Sequence, residues 1–443
     1  VELNPTTEEK NKQTKKHMRV GLTIRRWAGA ASVLAVCSGL SPAELCAQTS
    51  NPWVLVDDFR YLTKAYVTNA YAKGVAADPI GNIYVVGVGV SNSGHRGVTR
   101  ESSDGGASWT LVDDFAYPSG KGTEFWKVGA DDLGNLFVIG TSLDTARISH
   151  WLVRHSQDGG ATWATVDDYL GPGNGAGGGA DPSGVLVLNS GQVYVAGWGA
   201  KTFSSTGKKT SGATDWIMRR SLDGGTTWTT VDDYEFATSQ GFTAAQAITA
   251  SSAGLLAAGY TYAGQWIVRS SPNGNAGSWT TVDSASINSS YPYTAGVDAN
   301  GYVYAGGSYG VPCRSSSYSH WLVRRSTDGG QTWATVDDLA GTLCGGGAVA
   351  NGFALDAYNN IVMVGSDDTP SGAFWLTRNS FGTQNSSTGS PGTWITTDEY
   401  QYASPNASVG QDICRDSAGN LFAVGYGYAS NGSQHWLVRK QQP

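Results

Sequence analysis

The side chains able to do specific chemistry are few, and most fall between repeated phrases. Arginine, whose planar fork grips carboxylates, stands outside the repeats at Arg60, Arg96, Arg147 and Arg314, and on an inner strand at Arg415. Beyond residue 47, glutamate occurs only at Glu101, Glu124, Glu235 and Glu399. Glu399 and Tyr400 are neighbours in sequence, a poor arrangement for a tyrosine activated by a facing carboxylate. His150, His320 and His435 each precede a repeated Trp, so they mark a repeat position and not a metal trio. No Ser-His-Asp arrangement, metal-ligand cluster or phosphate loop stands out, and neither cofactor nor metal is expected.

Paired acids recur at Asp57/Asp58, Asp113/Asp114, Asp167/Asp168, Asp232/Asp233 and Asp337/Asp338, with Asp398/Glu399 in the same place. Adjacent residues on a strand face opposite ways, so these are not catalytic dyads. They are expected to protect an outer edge strand and cap its loop. A different chemistry sits in the variable loops, at Tyr309, Tyr318, Tyr402 and Asn406. Aromatic platforms and adaptable hydrogen bonds suit neutral sugars or protein surfaces, so these four are candidate ligand-binding residues.

What positions these residues is one phrase, Ser326-Thr327-Asp328-Gly329-Gly330-Gln331-Thr332-Trp333, repeated from Ser102, Ser156 and Ser221. Gly-Gly supplies positive φ, and Asp accepts hydrogen bonds from the turn's own backbone. A Trp-Leu-Val-Arg run precedes it and a Trp-x-x-Val-Asp-Asp run follows, so each unit reads as a β-hairpin. Two further copies are eroded, Ser271 to Trp279 and Ser380 to Trp394. Turns such as Asp416-Ser417-Ala418-Gly419-Asn420 lack calcium-loop spacing and read as type I turns.

Two more strands complete the unit, a short one ending in an acid and an apolar one such as Leu421 to Gly425. Strands B, C and D each occur seven times, and the strand D Trp residues follow one another at 51 to 65 residues, the spacing of propeller blades with loop insertions. The ends do not match. Trp53 to Asp58 is a strand D with no strand C before it, and Trp436 to Arg439 is a strand C with no strand D after it. The expected fold is all-β, a seven-bladed propeller of four-stranded antiparallel blades. Its ring closes where the N-terminal strand completes the C-terminal blade.

The phrase resembles the Asp-box, or bacterial neuraminidase repeat, of sialidase-like β-propellers. The resemblance implies a structural role for Asp104, Asp158, Asp223 and Asp328 on the C–D turns at the blade periphery. Sialidases of this kind hold the substrate carboxylate with three arginines and use a Tyr–Glu pair with an Asp. One arginine lies in a Phe/Tyr-Arg-Ile-Pro phrase, against which Phe59-Arg60-Tyr61-Leu62 lacks Ile-Pro. Sialidase domains have six blades. Seven occur in xyloglucan-cleaving hydrolases and in photosystem assembly factors. The catalytic candidates that resemblance suggests are Arg60, Arg96, Arg314 and Arg415.

The 443 residues contain 60 Gly and 16 Trp but only 15% charged residues, as suits a turn-rich β-protein. Residues 1–47 read as an export region. From Met18 come Arg19, Arg25 and Arg26, the apolar run Trp27 to Leu40, then Leu45-Cys46-Ala47, the plan of a secretory signal. That run is too short to span a membrane. Residues 48–443 are then one domain. Cleavage after Ala47 removes seven basic and four acidic residues, taking the net charge from −7 to near −10, which disfavours nucleic acid. Of the three cysteines left, Cys313 and Cys344 fall on one face and are expected to pair, leaving Cys414 free.

The expectation is thus an exported, monomeric binding or scaffold propeller, secreted, periplasmic or at the cell surface. It would recognise an extracellular glycan or protein on its loop-rich face. A sialidase-type hydrolase is the alternative. Three loop arginines converging on one anion would mark the hydrolase, and scattered arginines the binder.

Overall fold

The computed structural model describes residues 52–61, 69–118, 120–174, 178–189, 191–201, 213–236, 241–261, 264–285, 287, 289–313, 316–341, 343–381 and 392–443. The expected export region and Arg314 lie outside them. Strand β1 (Val54–Phe59) opens the chain. Blade 1 comprises β2–β5 (Ala70–Ala77, Ile83–Ser91, Gly94–Ser102, Thr110–Phe115), and blade 2 comprises β6–β9 (Gly122–Ala130, Leu136–Leu143, Ser149–Ser156, Ala164–Tyr169). Blade 3 is β10–β13 (Ala180–Val187, Val193–Ala200, Thr214–Ser221, Thr229–Tyr234) and blade 4 is β14–β17 (Thr243–Ser251, Gly254–Thr261, Trp266–Ser271, Thr280–Ala285). Blade 5 is β18–β21 (Tyr291–Val297, Val303–Cys313, Ser316–Ser326, Ala334–Leu339) and blade 6 is β22–β25 (Ala348–Leu355, Ile361–Thr369, Gly372–Phe381, Thr393–Tyr400). Strands β26–β28 (Ser408–Arg415, Leu421–Tyr428, Gln434–Gln441) make blade 7, whose outer strand is β1.

The closure pairs Leu55 with Arg439 and Phe59 with Trp436, antiparallel. The seven-bladed ring and its split blade are therefore present as the repeat count requires. Among the described residues no helix is long and apolar enough to cross a membrane.

Blades interlock through two side chains on opposite faces of the third strand. The Trp points forward. Trp151 meets Gly197 of the next blade so closely that a Cβ there would lie 2.5 Å from Cζ3, and Trp216 meets Gly259 in the same way. Both indoles are fully buried. The Arg points back, to the first acid of the preceding blade's outer strand. All seven such pairs form: Arg100–Asp57, Arg154–Asp113, Arg219–Asp167, Arg269–Asp232, Arg324–Asp283, Arg378–Asp337 and Arg439–Asp398. Five of the guanidinium groups also lie over the ring that follows the acids, 3.9–4.2 Å from its centroid.

This corrects the edge-protection reading of the first acids. They are buried inter-blade partners. Burial raises the Asp57 carboxyl to about 6 and draws Arg100 down despite their pairing. Desolvation thus outweighs attraction, and the pair fixes blade register more than it stabilises the fold.

The second acid of each pair faces the loop-rich side. Asp168 accepts from Tyr117 and His150, Asp338 from Tyr309 and His320, and Asp58 from Tyr402 and His435. In blade 1 the partners of Asp114 are Tyr61 and Arg96. Tyr309 and Tyr318, expected in a variable loop, instead lie on the β19–β20 hairpin, whose pairing continues as far as Cys313 and Ser316.

Candidate functional site

The Ser-x-Asp-Gly-Gly turns lie between third and fourth strands. In each, Asp Oδ1 accepts from the Ser hydroxyl two residues before and from the backbone N–H four residues after; for Asp158 both are 2.8 Å. Oδ2 accepts from the hydroxyl of Ser108, Thr162, Thr227 or Thr332. These bonds to the charged form hold Asp104, Asp158, Asp223 and Asp328 at about 2. Both oxygens of each carboxylate thus accept from groups of their own turn.

The axis of the ring differs. Each innermost strand carries a one-residue bulge, seen as a register shift such as Ala72/Gly74 or Phe125/Lys127. A bulge re-aims one side chain. The seven re-aimed residues are Lys73, Trp126, Ser183, Gln246, Tyr293, Asn351 and Gln411. All seven line one axial cavity of about 310 Å³, together with Lys127, Asp181, Pro182 and Trp198. A second axial cavity, of about 140 Å³, shares Lys127, Gln246 and Tyr293 and adds Phe353 and Asp412.

Charges in the cavity are held individually. Lys127 pairs with Asp412 at 3.0 Å. The Lys73 ammonium sits over three rings, 5.2 Å from Tyr71, 5.2 Å from Trp126 and 5.9 Å from Tyr426. Its burial lowers its pKa, against an opposing pull from Glu124. Glu124 itself is bonded to His95 Nδ1 at 2.6 Å. Asp181 accepts from Ser149, and burial raises its carboxyl. Trp126 donates its indole N–H to Thr141 at 3.1 Å, and the Asn351 amide donates to the Gly410 carbonyl at 2.8 Å. Rings, amides and the hydroxyls of Ser183 and Tyr293 thus line the cavity beside Lys73, Lys127 and Asp181, the composition of a site that stacks on and hydrogen-bonds a polar ligand.

The sequence candidates are dispersed. Arg60 is exposed just after β1. Arg96 is committed to Asp114, and Arg415 donates to the Asp356 carbonyl in a turn between first and second strands, on the opposite face. Among the described residues no arginine lines the axial cavities. The Tyr309 and Tyr402 hydroxyls are taken by Asp338 and Asp58, and burial with that contact pushes Tyr309 up to about 12. Tyr318 packs its ring on His320, 5.2 Å between centroids, and Asn406 donates to the Ala429 carbonyl at 2.9 Å. Cys313 and Cys344 are disulfide-bonded, and Cys414 is free.

The axial residues escaped a reading that looked for function in loops. Their signal was available. Each lies five residues before the turn at Asp78, Asp131, Leu188, Ser251, Asp298, Asp356 or Asp416, and its identity changes from blade to blade.

No protein-family model matches the sequence, and no curated protein does. Among solved structures, an α-L-arabinanase from Penicillium chrysogenum complexed with arabinobiose aligns at 14% identity. It covers 88% of this chain and 98% of the other, with a TM-score of 0.50. An α-L-arabinofuranosidase from Fusarium graminearum with an iminosugar inhibitor aligns at 13% identity over 88% and 97%, also at 0.50. A leech intramolecular trans-sialidase aligns at 14% over 91% and 72%, with a TM-score of 0.45. At such identities the likeness is one of architecture. The chain itself is a β-propeller of seven four-stranded blades.

Proposed function

We propose that this is an exported propeller that binds a glycan in its axial cavity. The observation that carries the reading is the ring of seven non-repeating bulge side chains, aromatic and amide-rich, on an otherwise repetitive scaffold. Rigid rings cover sugar faces at low entropic cost, and the amides supply paired donors and acceptors. The dispersal of the described arginines supports binding over sialidase chemistry. Export rests on the basic, apolar and small pattern from Met18 to Ala47. Binding is expected as a monomer, without metal or cofactor.

The test is a glycan array followed by calorimetry on the exported chain and on Trp126→Ala and Gln411→Ala. Both variants should lose binding and keep their melting temperature. Capture of protein ligands alone, with no glycan retained, would reject the reading.

One observation favours hydrolysis as a second reading. Glu124 and Asp181 stand on adjacent inner strands, close enough for the Glu124 charge to help raise Asp181. One carboxyl hydrogen-bonded to His95 and one raised by burial is a pairing of unlike environments that glycoside hydrolysis uses. The two structures at a TM-score of 0.50 are described as an α-L-arabinofuranosidase and an α-L-arabinanase, so arabino-oligosaccharides are the first substrates to assay, with a fluorogenic sialoside beside them. Turnover abolished by Asp181→Asn would establish the enzyme.

A further inference from the structure

The axial cavity continues on one side into an arc of aromatic rings. Trp198 of β11 is followed by Phe242 at the entry to β14, then Tyr260 of β15 and Tyr291 of β18. Their centroids step by 5.7, 5.8 and 4.7 Å. The four rings come from three consecutive blades, and each is partly exposed. Trp198 also lines the cavity, so the arc begins inside it.

The arc is not a feature of every blade. Trp198 and Tyr260 each follow a second-strand glycine. At that place the other blades carry Val88, Thr141, Ser308, Ser366 and Tyr426, the last edge-on to Tyr71. Phe242 and Tyr260 lie nearly parallel, with 23° between their planes. Among the described residues neither the Tyr260 nor the Tyr291 hydroxyl has a hydrogen-bond partner, so both can serve a ligand.

Size decides how the two parts relate. At about 310 Å³ the cavity lies at the small end of ligand pockets. A longer ligand must leave it, and the arc is a lined exit whose steps are close to the length of one sugar ring. Resting on the glycan reading above, we propose that the ligand is an extended oligosaccharide. One end lies in the axial cavity, and successive units stack on Trp198, Phe242, Tyr260 and Tyr291 across blades 3 to 5. Each unit would cover an apolar ring face and give its hydroxyls to Tyr260 and Tyr291.

The experiment is calorimetry on the full chain with arabinan-, xylan-, cellulose- and mannan-derived sugars, each as disaccharide and hexasaccharide. In a series that binds, the hexasaccharide should bind about tenfold tighter or better. Phe242→Ala should remove that gain and leave the disaccharide affinity unchanged, whereas Trp126→Ala should weaken both. Tyr291→Ala, at the far end, provides the same readout if Phe242→Ala lowers the melting temperature. Equal affinity for the two lengths, or a length gain untouched by both arc variants, overturns the arc alone. Failure of every series to bind rejects the glycan reading, and the arc with it.

Discussion

Arg100 grips Asp57 across the seam between the first and last blades, with Nε to Oδ2 and Nη2 to Oδ1 both at 3.1 Å. The two residues are 43 apart in sequence and belong to the blades that close the ring. Removing one partner strands a buried charge. Arg100→Ala should therefore cost about 3–5 kcal/mol in denaturant unfolding. The double change Asp57→Leu with Arg100→Met should cost less than Arg100→Ala alone. A double variant that loses more than Arg100→Ala alone would show that the pair does not act as a unit.

Gly197→Ala tests the interlock between blades. Its Cβ would lie 2.2 Å from the Asp181 carbonyl and 2.5 Å from Trp151 Cζ3, so backbone or indole must move. A loss of about 1–3 kcal/mol is expected. Gly224→Ala, where a Cβ meets nothing within 4 Å, separates crowding from the cost of positive φ. The larger loss must fall at Gly197.

These two sites show how far the sequence could be read. Trp151 and Arg154 are three apart on a strand, and alternation alone puts them on opposite faces. Blade count, closure and the self-contained turns follow from such local rules. The destination of Arg154 does not, because Asp113 lies 41 residues earlier and only ring geometry joins them. The candidate site was less legible. Lys73 and Trp126 reach the axis because a bulge turns them there, and strand alternation does not announce a bulge; only the constant distance to the following turn marks the position.

Acid should act first on the Ser-x-Asp turns. Asp158 titrates at about 2 in the fold against 3.8 for a free carboxyl. A depressed carboxyl contributes stability above the unfolded value and loses it as pH falls toward the folded one. Melting temperature should therefore drop between pH 4 and pH 2, and Asp158→Asn should flatten that slope while lowering stability at neutral pH. An unchanged slope in a variant carrying Asn at all four positions would contradict the assignment.

Blade 3 titrates in the opposite sense. Where other blades set His150, His320, His435 or Arg96 against the second acid, it sets the fully buried Asp215, with Lys201 at 3.2 Å. Burial, with the neighbouring Asp233 carboxylate, raises Asp215 to about 6. Its stabilising contribution is complete below about 4 and is lost as pH climbs through about 6. Asp215→Asn should raise stability above pH 6 by on the order of 1–3 kcal/mol and do little near pH 4. A gain independent of pH would point to a cause other than ionisation.

The Cys313–Cys344 bond closes a separation of 31 residues between the β19–β20 hairpin and the loop after β21. Loop-closure entropy puts its contribution at about 3–4 kcal/mol at most. Cys313→Ser with Cys344→Ser should lower the denaturant midpoint, and reductant should lower it only in the parent protein. Mass mapping of the unreduced chain should find Cys414 unmodified until it unfolds, because burial suppresses its thiolate.

The pairing of β1 with β28 also sets an order of events during synthesis. Strand β1 is made before the six complete blades, and its partner from Gln434 to Gln441 after them. Until that partner emerges, β1 has no sheet to join, and six finished blades stand with a bare flank at each end. Every chain must therefore wait, unlatched, for β28. A product that stopped before β28 would keep both flanks exposed, so the latch reports on the completion of blade 7.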